Sequence, residues 1–192
     1  IRLCETEAFG KIKFFEGGFG FRIGNPNQWR LKKAYGGGAL MDVGIYVIQG
    51  ARYTIGEEPV AVTAQEFKTD PVKFKEVDEV ITWQMEFPGG AVANCSTSFS
   101  AGTNHLYVGA EKGFIRLSPA YTYGGLGGYN REKTLDFPEV NQQALHMDGI
   151  SNHLIHGVPH LNVGGDEGLQ DMKIIDAIFA SIAQQGKRVD IS

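Results

Sequence analysis

Hydrophobic and polar positions follow three successive rhythms along this chain, and each predicts a different kind of element. Residues 1 to 8 read as the end of a helix closed by Gly10, and a Phe- and Ile-rich run at about 11 to 23 reads as a strand. Residues 24 to 35, GNPNQWRLKKAY, are polar and predict a loop. The run from about 39 to 54 is apolar at Leu40, Met41, Val43, Ile45, Val47, Ile48 and Ala51, which predicts a buried helix stopped by Gly56.

From about 59 to 138 the period shortens to two. Ile81, Trp83, Met85 and Phe87 alternate with Thr82, Gln84 and Glu86; PGG at 88 to 90 turns the chain; Asn94, Ser96 and Ser98 then alternate with Ala93, Cys95 and Thr97. That is a hairpin. HLYVGAEKGFIRLSP predicts a second, with its turn at 111 to 113, and YTYGGLGGYNREKTLDFP adds a glycine-rich loop and a short strand. The last third is helical again: one helix at about 141 to 156, a loop through Pro159, and a second helix with Leu169, Met172, Ile175, Ile178, Phe179 and Ile182 at helical spacing. KRVDI is a closing extended piece. The pattern predicts an α+β fold, a mainly antiparallel sheet with helices packed on one face, as a single domain over residues 1–192.

The apolar helix carries one polar stripe. Asp42 and Tyr46 are four apart and share a side, and Gln49 and Tyr53 continue it. Such a stripe on a buried helix must face a cleft, a partner or an internal hydrogen-bond network. Gly44 and Gly50 each cost about 1 kcal/mol inside a helix, which predicts close packing there. Gly36, Gly37 and Gly38 let the backbone approach a neighbour or a ligand at the helix N-terminus. Asp42 lies in the first turn, where the helix dipole favours its ionised form. Pattern alone leaves two readings open: a functional pair, or a locally bonded Asp42 beside a core Tyr46.

Composition narrows the class. The 192 residues are 42% hydrophobic and 21% charged with a formal net charge of −4, so a soluble globular protein is expected. No basic excess points to nucleic acid, and no apolar run approaches the ~18 residues of a membrane span. Twenty-six glycines indicate many tight turns. Cys4 and Cys95 sit in no metal-ligand spacing and read as reduced thiols. The chain opens on IRLCETEAFG, with neither an initiator Met nor a signal pattern, which predicts a segment of a longer protein. The cytoplasm is the expected compartment, with the periplasm as the alternative.

Other candidates are weaker. Arg30, Lys32 and Lys33 precede the glycines and could line a cleft, or be solvated loop charges; Trp29 could stack on a ligand or anchor its loop. His146 and His153 flank an apolar stripe of Met147, Ile150 and Leu154, with His156 and His160 beyond. They read as partly exposed core-edge residues, and no metal site is predicted. GGFGFRIG and GGLGGY lack the spacing and the strand-to-helix context of a phosphate cradle. The small uncharged residues Thr82, Gln84, Asn94, Ser96 and Ser98 predict a sheet face that is covered, and the chain's own helices or loops could cover it.

QWRLKKAYGGGALMDVGIYVIQGARYTIGEEPV closely resembles the corresponding stretch of glucose–fructose oxidoreductase and its relatives, the NAD(P)-dependent sugar and inositol dehydrogenases, and GGDEGLQDMKIIDAIFASIAQQGKRVDI resembles the family's closing helix and strand. The resemblance implies a large open sheet and identifies the chain as the C-terminal domain of such an enzyme, with the N-terminal dinucleotide-binding Rossmann domain missing. It places catalytic roles on Tyr46 and Asp42, and substrate- or cofactor-cleft roles on Arg30, Lys32, Gly37, Gly38 and Trp29. Many relatives have His where this chain has Tyr46. The implied reaction moves a hydride between a sugar or polyol carbon and NADP or NAD. Tyr46 takes the hydroxyl proton and Asp42 orients the sugar. A free phenol has a pKa of about 10 and needs a cation beside it to act as a base; in the family that cation is a Rossmann-domain lysine. The domain alone is therefore expected to bind no cofactor and to be inactive. Association of copies through the sheet face is also implied. The competing reading is a dehydrogenase-like domain that only binds a carbohydrate or a protein.

Overall fold

The computed structural model describes residues 4, 6, 8–158 and 164–192. Most of the expected N-terminal helix end, the loop through Pro159, and His160 lie outside the described residues. Strand β1 (Ile12–Gly20) leads through two 3-10 turns (Trp29–Leu31 and Lys33–Tyr35) to a π-helical turn (Leu40–Gly44), which runs directly into helix α1 (Ile45–Ile55). Strands β2 (Ala61–Phe67), β3 (Val80–Glu86), β4 (Val92–Ser98), β5 (Thr103–Ala110), β6 (Gly113–Leu117), β7 (Gly128–Asn130) and β8 (Thr134–Leu135) follow. Helices α2 (Gln142–His156) and α3 (Gly165–Ala183) and strand β9 (Val189–Asp190) close the chain.

One nine-stranded sheet forms, in the order β8-β7-β6-β5-β1-β4-β3-β2-β9. Every pairing is antiparallel except β1 with β4. The α+β class and both predicted hairpins are as the alternation implies, and the sheet is open as the resemblance implies. The period of two sorts the strands into faces. Phe15, Ile81, Trp83, Met85, Ala93, Leu106 and Val108 point to one side and are buried with Val47, Ile48 and Ala51 of α1 and Ile174, Ile175 and Ile178 of α3. Thr82, Gln84 and Asn94 point to the other side and are exposed. Ser98, expected on that open face, is buried, because its hydroxyl accepts the backbone N–H groups of Ser100 and Ala101 in the chain's own turn.

A second, smaller core fixes the loop expected to be polar. Leu31 is buried with Ile23, Ala39, Val43, Phe74, Val77 and Phe99. This cluster seats residues 24–35 beside the start of α1, so the segment is anchored rather than free.

Two helices differ from expectation. The six apolar residues anticipated for α3 do not all turn inward: Leu169, Met172 and Phe179 are exposed, while Asp171, Ile174, Ile175, Ile178 and Ser181 form the buried row. The helix is rotated so that Asp171 meets a cation of α1, described below, and Ser181 accepts the N–H of Ala64 at 2.9 Å. Helix α2 buries no residue. Met147 and Leu154 are exposed, so the histidines beside them border no core. Its N-terminal Gln142 reaches the carbonyls of Thr122 and Tyr123, which holds the helix at one end instead of laying it on the sheet.

Candidate functional site

The three glycines solve a packing problem at the start of the helix. Gly38 has φ +121, and a Cβ there would overlap the carboxylate of Asp78; a Cβ on Gly37 would overlap the Arg30 carbonyl. These approaches are used. Asp78 Oδ2 accepts the N–H of Leu40 at 2.8 Å, and the Arg30 carbonyl accepts the N–H of Gly38 at 3.0 Å. Burial pushes the Asp78 carboxyl above its ordinary value, and the N–H of Leu40 pulls the other way. The N–H groups of Gly36 and Gly37 also end on backbone carbonyls, of Lys33 and Lys32. With its donors used internally, this turn does not fit the pyrophosphate of a dinucleotide.

The turn carrying Asp42 is wider than α. The N–H of Ile45 bonds the carbonyl of Leu40, an i→i+5 closure, and α geometry resumes from there. A turn of this kind inserts itself at functional sites more often than elsewhere. Residues four apart still fall on one side of it, so Asp42 and Tyr46 remain on a common side. Their contacts agree. Arg30 Nε donates to Asp42 Oδ2 at 2.6 Å, with the guanidinium 4.8 Å from the Trp29 ring and 5.7 Å from the Phe21 ring. Tyr46 meets Phe19 edge to face with centroids 5.8 Å apart. Phe19 and Phe21 are two apart on one extended run and face one side.

Arg30 is thus not a solvated loop charge; it is the ionic partner of Asp42. Trp29 stacks on Arg30 and stays 47% exposed, so it anchors the loop while keeping surface free. Lys32 pairs with Glu76 at 3.3 Å, and Gly37 and Gly38 face Arg30 and Asp78. Tyr46 is also 47% exposed, and among the described residues its hydroxyl has no hydrogen-bond partner.

The rest of the polar stripe does something else. Gln49 donates to Asp171 at 2.7 Å and Tyr53 to Glu167 at 3.2 Å, so both bind α3 rather than a cleft. Between them Arg52, whose side chain is 2% exposed, meets Asp171 at 2.7 Å, Glu58 at 2.7 Å and Glu167 at 3.0 Å. Burial would lower the Arg52 pKa, but the three carboxylates outweigh it and the guanidinium is held charged. Burial pushes Asp171 up against the pull of Gln49 and Arg52. This cluster fastens α1 to α3 and fixes the far end of the helix that bears Tyr46.

Sequence reasoning missed Asp78, Thr97, Phe19, Arg52 and Asp171. The last two left a signal: each is a charge on the apolar phase of its helix, Arg52 between Ile48 and Ile55 and Asp171 before Ile174 and Ile175. Thr97 left none. Its hydroxyl, fully buried, lies 2.9 Å from the Phe19 carbonyl and 3.2 Å from that of Ala39, tying β1 to the helix start. Among the described residues no group of three or more His, Cys, Asp or Glu side chains could hold a metal ion, and no helix is long and apolar enough to cross a membrane.

The sequence profile of the GFO/IDH/MocA C-terminal domain matches residues 2–116, and the chain belongs to that family. It is 29% identical over 183 residues to D-xylose 1-dehydrogenase (NADP(+)) of Haloarcula marismortui, covering 88% of this chain and 49% of that protein. It is 32% identical over 151 residues to trans-1,2-dihydrobenzene-1,2-diol dehydrogenase of Xenopus laevis, covering 77% and 44%. The crystal structure of aldose-aldose oxidoreductase from Caulobacter crescentus complexed with glycerol aligns with a TM-score of 0.89 at 38% identity, over 98% of this chain and 58% of that one. The chain spans about half the length of the curated relatives it matches.

Proposed function

We propose that this chain forms the sugar-facing half of a nicotinamide-dependent sugar or polyol oxidoreductase, with Tyr46 as the proton-transferring group and Asp42 as the group that orients substrate hydroxyls. The observation that carries the reading is the phenol of Tyr46, half exposed and without a hydrogen-bond partner among the described residues, on the same side of the helix as a carboxylate held by Arg30. Hydride exchange with the substrate carbon is supplied by NADP or NAD when bound, and the dinucleotide is assigned to the part of the protein outside this chain. An NADP-linked D-xylose dehydrogenase and an aldose-aldose oxidoreductase among the similar proteins support the substrate class.

The work of this chain's own residues follows from their geometry. As the substrate carbon gives up its hydride, its hydroxyl must lose a proton, and a phenolate oxygen within hydrogen-bond reach accepts it and becomes the neutral phenol. Arg30 occupies one oxygen of Asp42 and leaves the other to accept from a neighbouring sugar hydroxyl. Trp29 and Phe21, stacked about Arg30, supply apolar surface for the sugar ring. The cation that lowers a phenol's proton affinity is expected from the other half.

Association of two copies through the open sheet face is part of the same proposal. That face holds a concavity of about 680 Å³ between Thr63, Gln65, Thr82, Gln84, Asn94 and Ser96. One bond ties two of its amides, Gln84 donating to Asn94 at 2.8 Å, and the remaining amide and hydroxyl groups of the face are open to a partner's polar groups. The test of function is cofactor reduction with a panel of sugars. Full-length protein is expected to be active and the isolated 192-residue chain inactive; turnover by the isolated chain would contradict the division of labour.

A further inference from the structure

We infer that Phe19 and Tyr121 are positioning residues that set the ring of Tyr46, an inference that rests on the role proposed above for Tyr46. The three rings make a chain. Tyr46 meets Phe19 edge to face at 5.8 Å and 77°, and Phe19 stacks on Tyr121 at 5.2 Å and 23°. The middle of this chain and its far end at Tyr121 are fixed. The Phe19 carbonyl is held by the buried hydroxyl of Thr97 at 2.9 Å. Asn104 Oδ1 accepts the N–H groups of Ala120 and Tyr121 at 2.8 and 2.7 Å, and its amide donates to the Tyr121 carbonyl at 3.2 Å, which pins the backbone beneath the Tyr121 ring.

Two oddities of the fold are explained together by this clamp. The hydroxyl of Tyr121 is buried and has no hydrogen-bond partner among the described residues. Burial pushes its pKa up, so it stays a neutral phenol. An unpaired buried hydroxyl is unfavourable, and a Phe would avoid it. Gly50, in turn, is a poor residue for the middle of a helix. The two meet: a Cβ on Gly50 would lie 2.9 Å from the Tyr121 hydroxyl oxygen. Gly50 is four residues after Tyr46 and therefore on the same side of α1. The hydroxyl abuts the helix where the glycine leaves a notch, and this sets how far the Phe19–Tyr121 stack stands from the helix. The edge of Phe19 then meets Tyr46 one turn earlier.

Such a stop matters because the Tyr46 ring is half exposed and its hydroxyl has no partner, so neither burial nor a hydrogen bond among the described residues fixes its rotamer. A helical tyrosine has two common χ1 states, and a fixed aromatic edge selects between them. Proton transfer needs the phenol oxygen within hydrogen-bond reach of the substrate, and a displacement of about 1 Å lowers turnover roughly 100-fold.

The experiment uses the full-length protein and four variants: Tyr46→Phe, Phe19→Leu, Gly50→Ala and the double variant Gly50→Ala/Tyr121→Phe. Phe19→Leu is expected to lower kcat by about 10- to 100-fold with the sugar KM within about twofold. Gly50→Ala is expected to lower kcat in the same manner, and removing the Tyr121 hydroxyl in the double variant to restore it, because the added methyl then has room. A folded Phe19→Leu with wild-type kcat overturns the inference, and so does a double variant no faster than Gly50→Ala. Should Phe19→Leu fail to fold by thermal unfolding, the Gly50→Ala pair decides alone. Wild-type turnover by Tyr46→Phe removes the functional reading and this inference with it. An inactive Tyr46→Phe beside a fully active Phe19→Leu removes the inference alone.

Discussion

The carboxylate of Asp78 accepts the backbone N–H of Leu40 at 2.8 Å, across a gap that exists because residue 38 has no side chain. A buried acid thus fixes the first turn of the helix that presents Asp42 and Tyr46. Gly38→Ala should cost about 2 kcal/mol or more, because a positive φ and an overlap with Asp78 act together. Gly36→Ala, at φ +70 with open space around its Cβ, should cost about 1 kcal/mol. Urea unfolding of the two variants checks the order; equal losses would mean the Asp78 contact is loose.

The same acid makes stability depend on pH. Burial raises the folded-state pKa of Asp78 above the ordinary 3.8. Between that value and the raised one, the native state keeps a proton that the unfolded chain has lost. Stability from this group therefore grows as pH falls through the window and is lost as pH rises through it. Asp78→Asn does not titrate. Plotted against pH, wild type should become more stable relative to Asp78→Asn on acidification, and parallel curves would contradict the assignment.

The cluster joining α1 to α3 should be sensitive to one-sided changes. Arg52→Met leaves Asp171, 1% exposed, as a buried carboxylate without its cation, and should cost about 3–5 kcal/mol. Glu58→Gln, at the 53% exposed edge of the cluster, should cost less than about 1 kcal/mol. Chemical denaturation of both separates a buried ionic joint from a surface one.

How much of this was legible follows from which residues repeat. The strands were readable because Ile81, Trp83 and Met85 alternate with Thr82 and Gln84, and one face of the sheet packs on helices while the other is polar and left open by them. Asp42 and Tyr46 were readable as a pair because helical spacing brings them together, and the resemblance to sugar dehydrogenases supplied a role that spacing could not. The glycines were legible as a demand for close approach but not as to what approaches, since Asp78 lies forty residues downstream in a segment with no period. For the same reason the anchor Leu31, set among polar neighbours, gave no sign that its loop joins Phe74 and Phe99 in a second core. Helix α2 misled for the opposite reason: its apolar residues have helical spacing, yet Met147 and Leu154 face solvent. Periodicity reports which residues share a side, not whether anything covers it.

The open face of the sheet offers a direct test of association. Thr82 and Gln84 are exposed there, away from the helices and from Tyr46. Thr82→Lys combined with Ser96→Lys, placed opposite each other on β3 and β4, would bring like charges together across an interface between two copies. Sedimentation should show wild type associating with concentration and the double variant remaining monomeric. A wild type that stays monomeric throughout would remove the sheet-face dimer.

Proton transfer in the proposed reaction turns on a single oxygen atom, the hydroxyl of Tyr46. Tyr46→Phe deletes a hydroxyl that bonds to no described residue and leaves the ring in place, so the melting temperature should stay within about 2 °C of wild type. Single-turnover cofactor reduction by the full-length variant, with the sugar that the wild type oxidises best, should slow by about 100- to 10,000-fold. An unchanged single-turnover rate in a folded Tyr46→Phe protein would contradict the account.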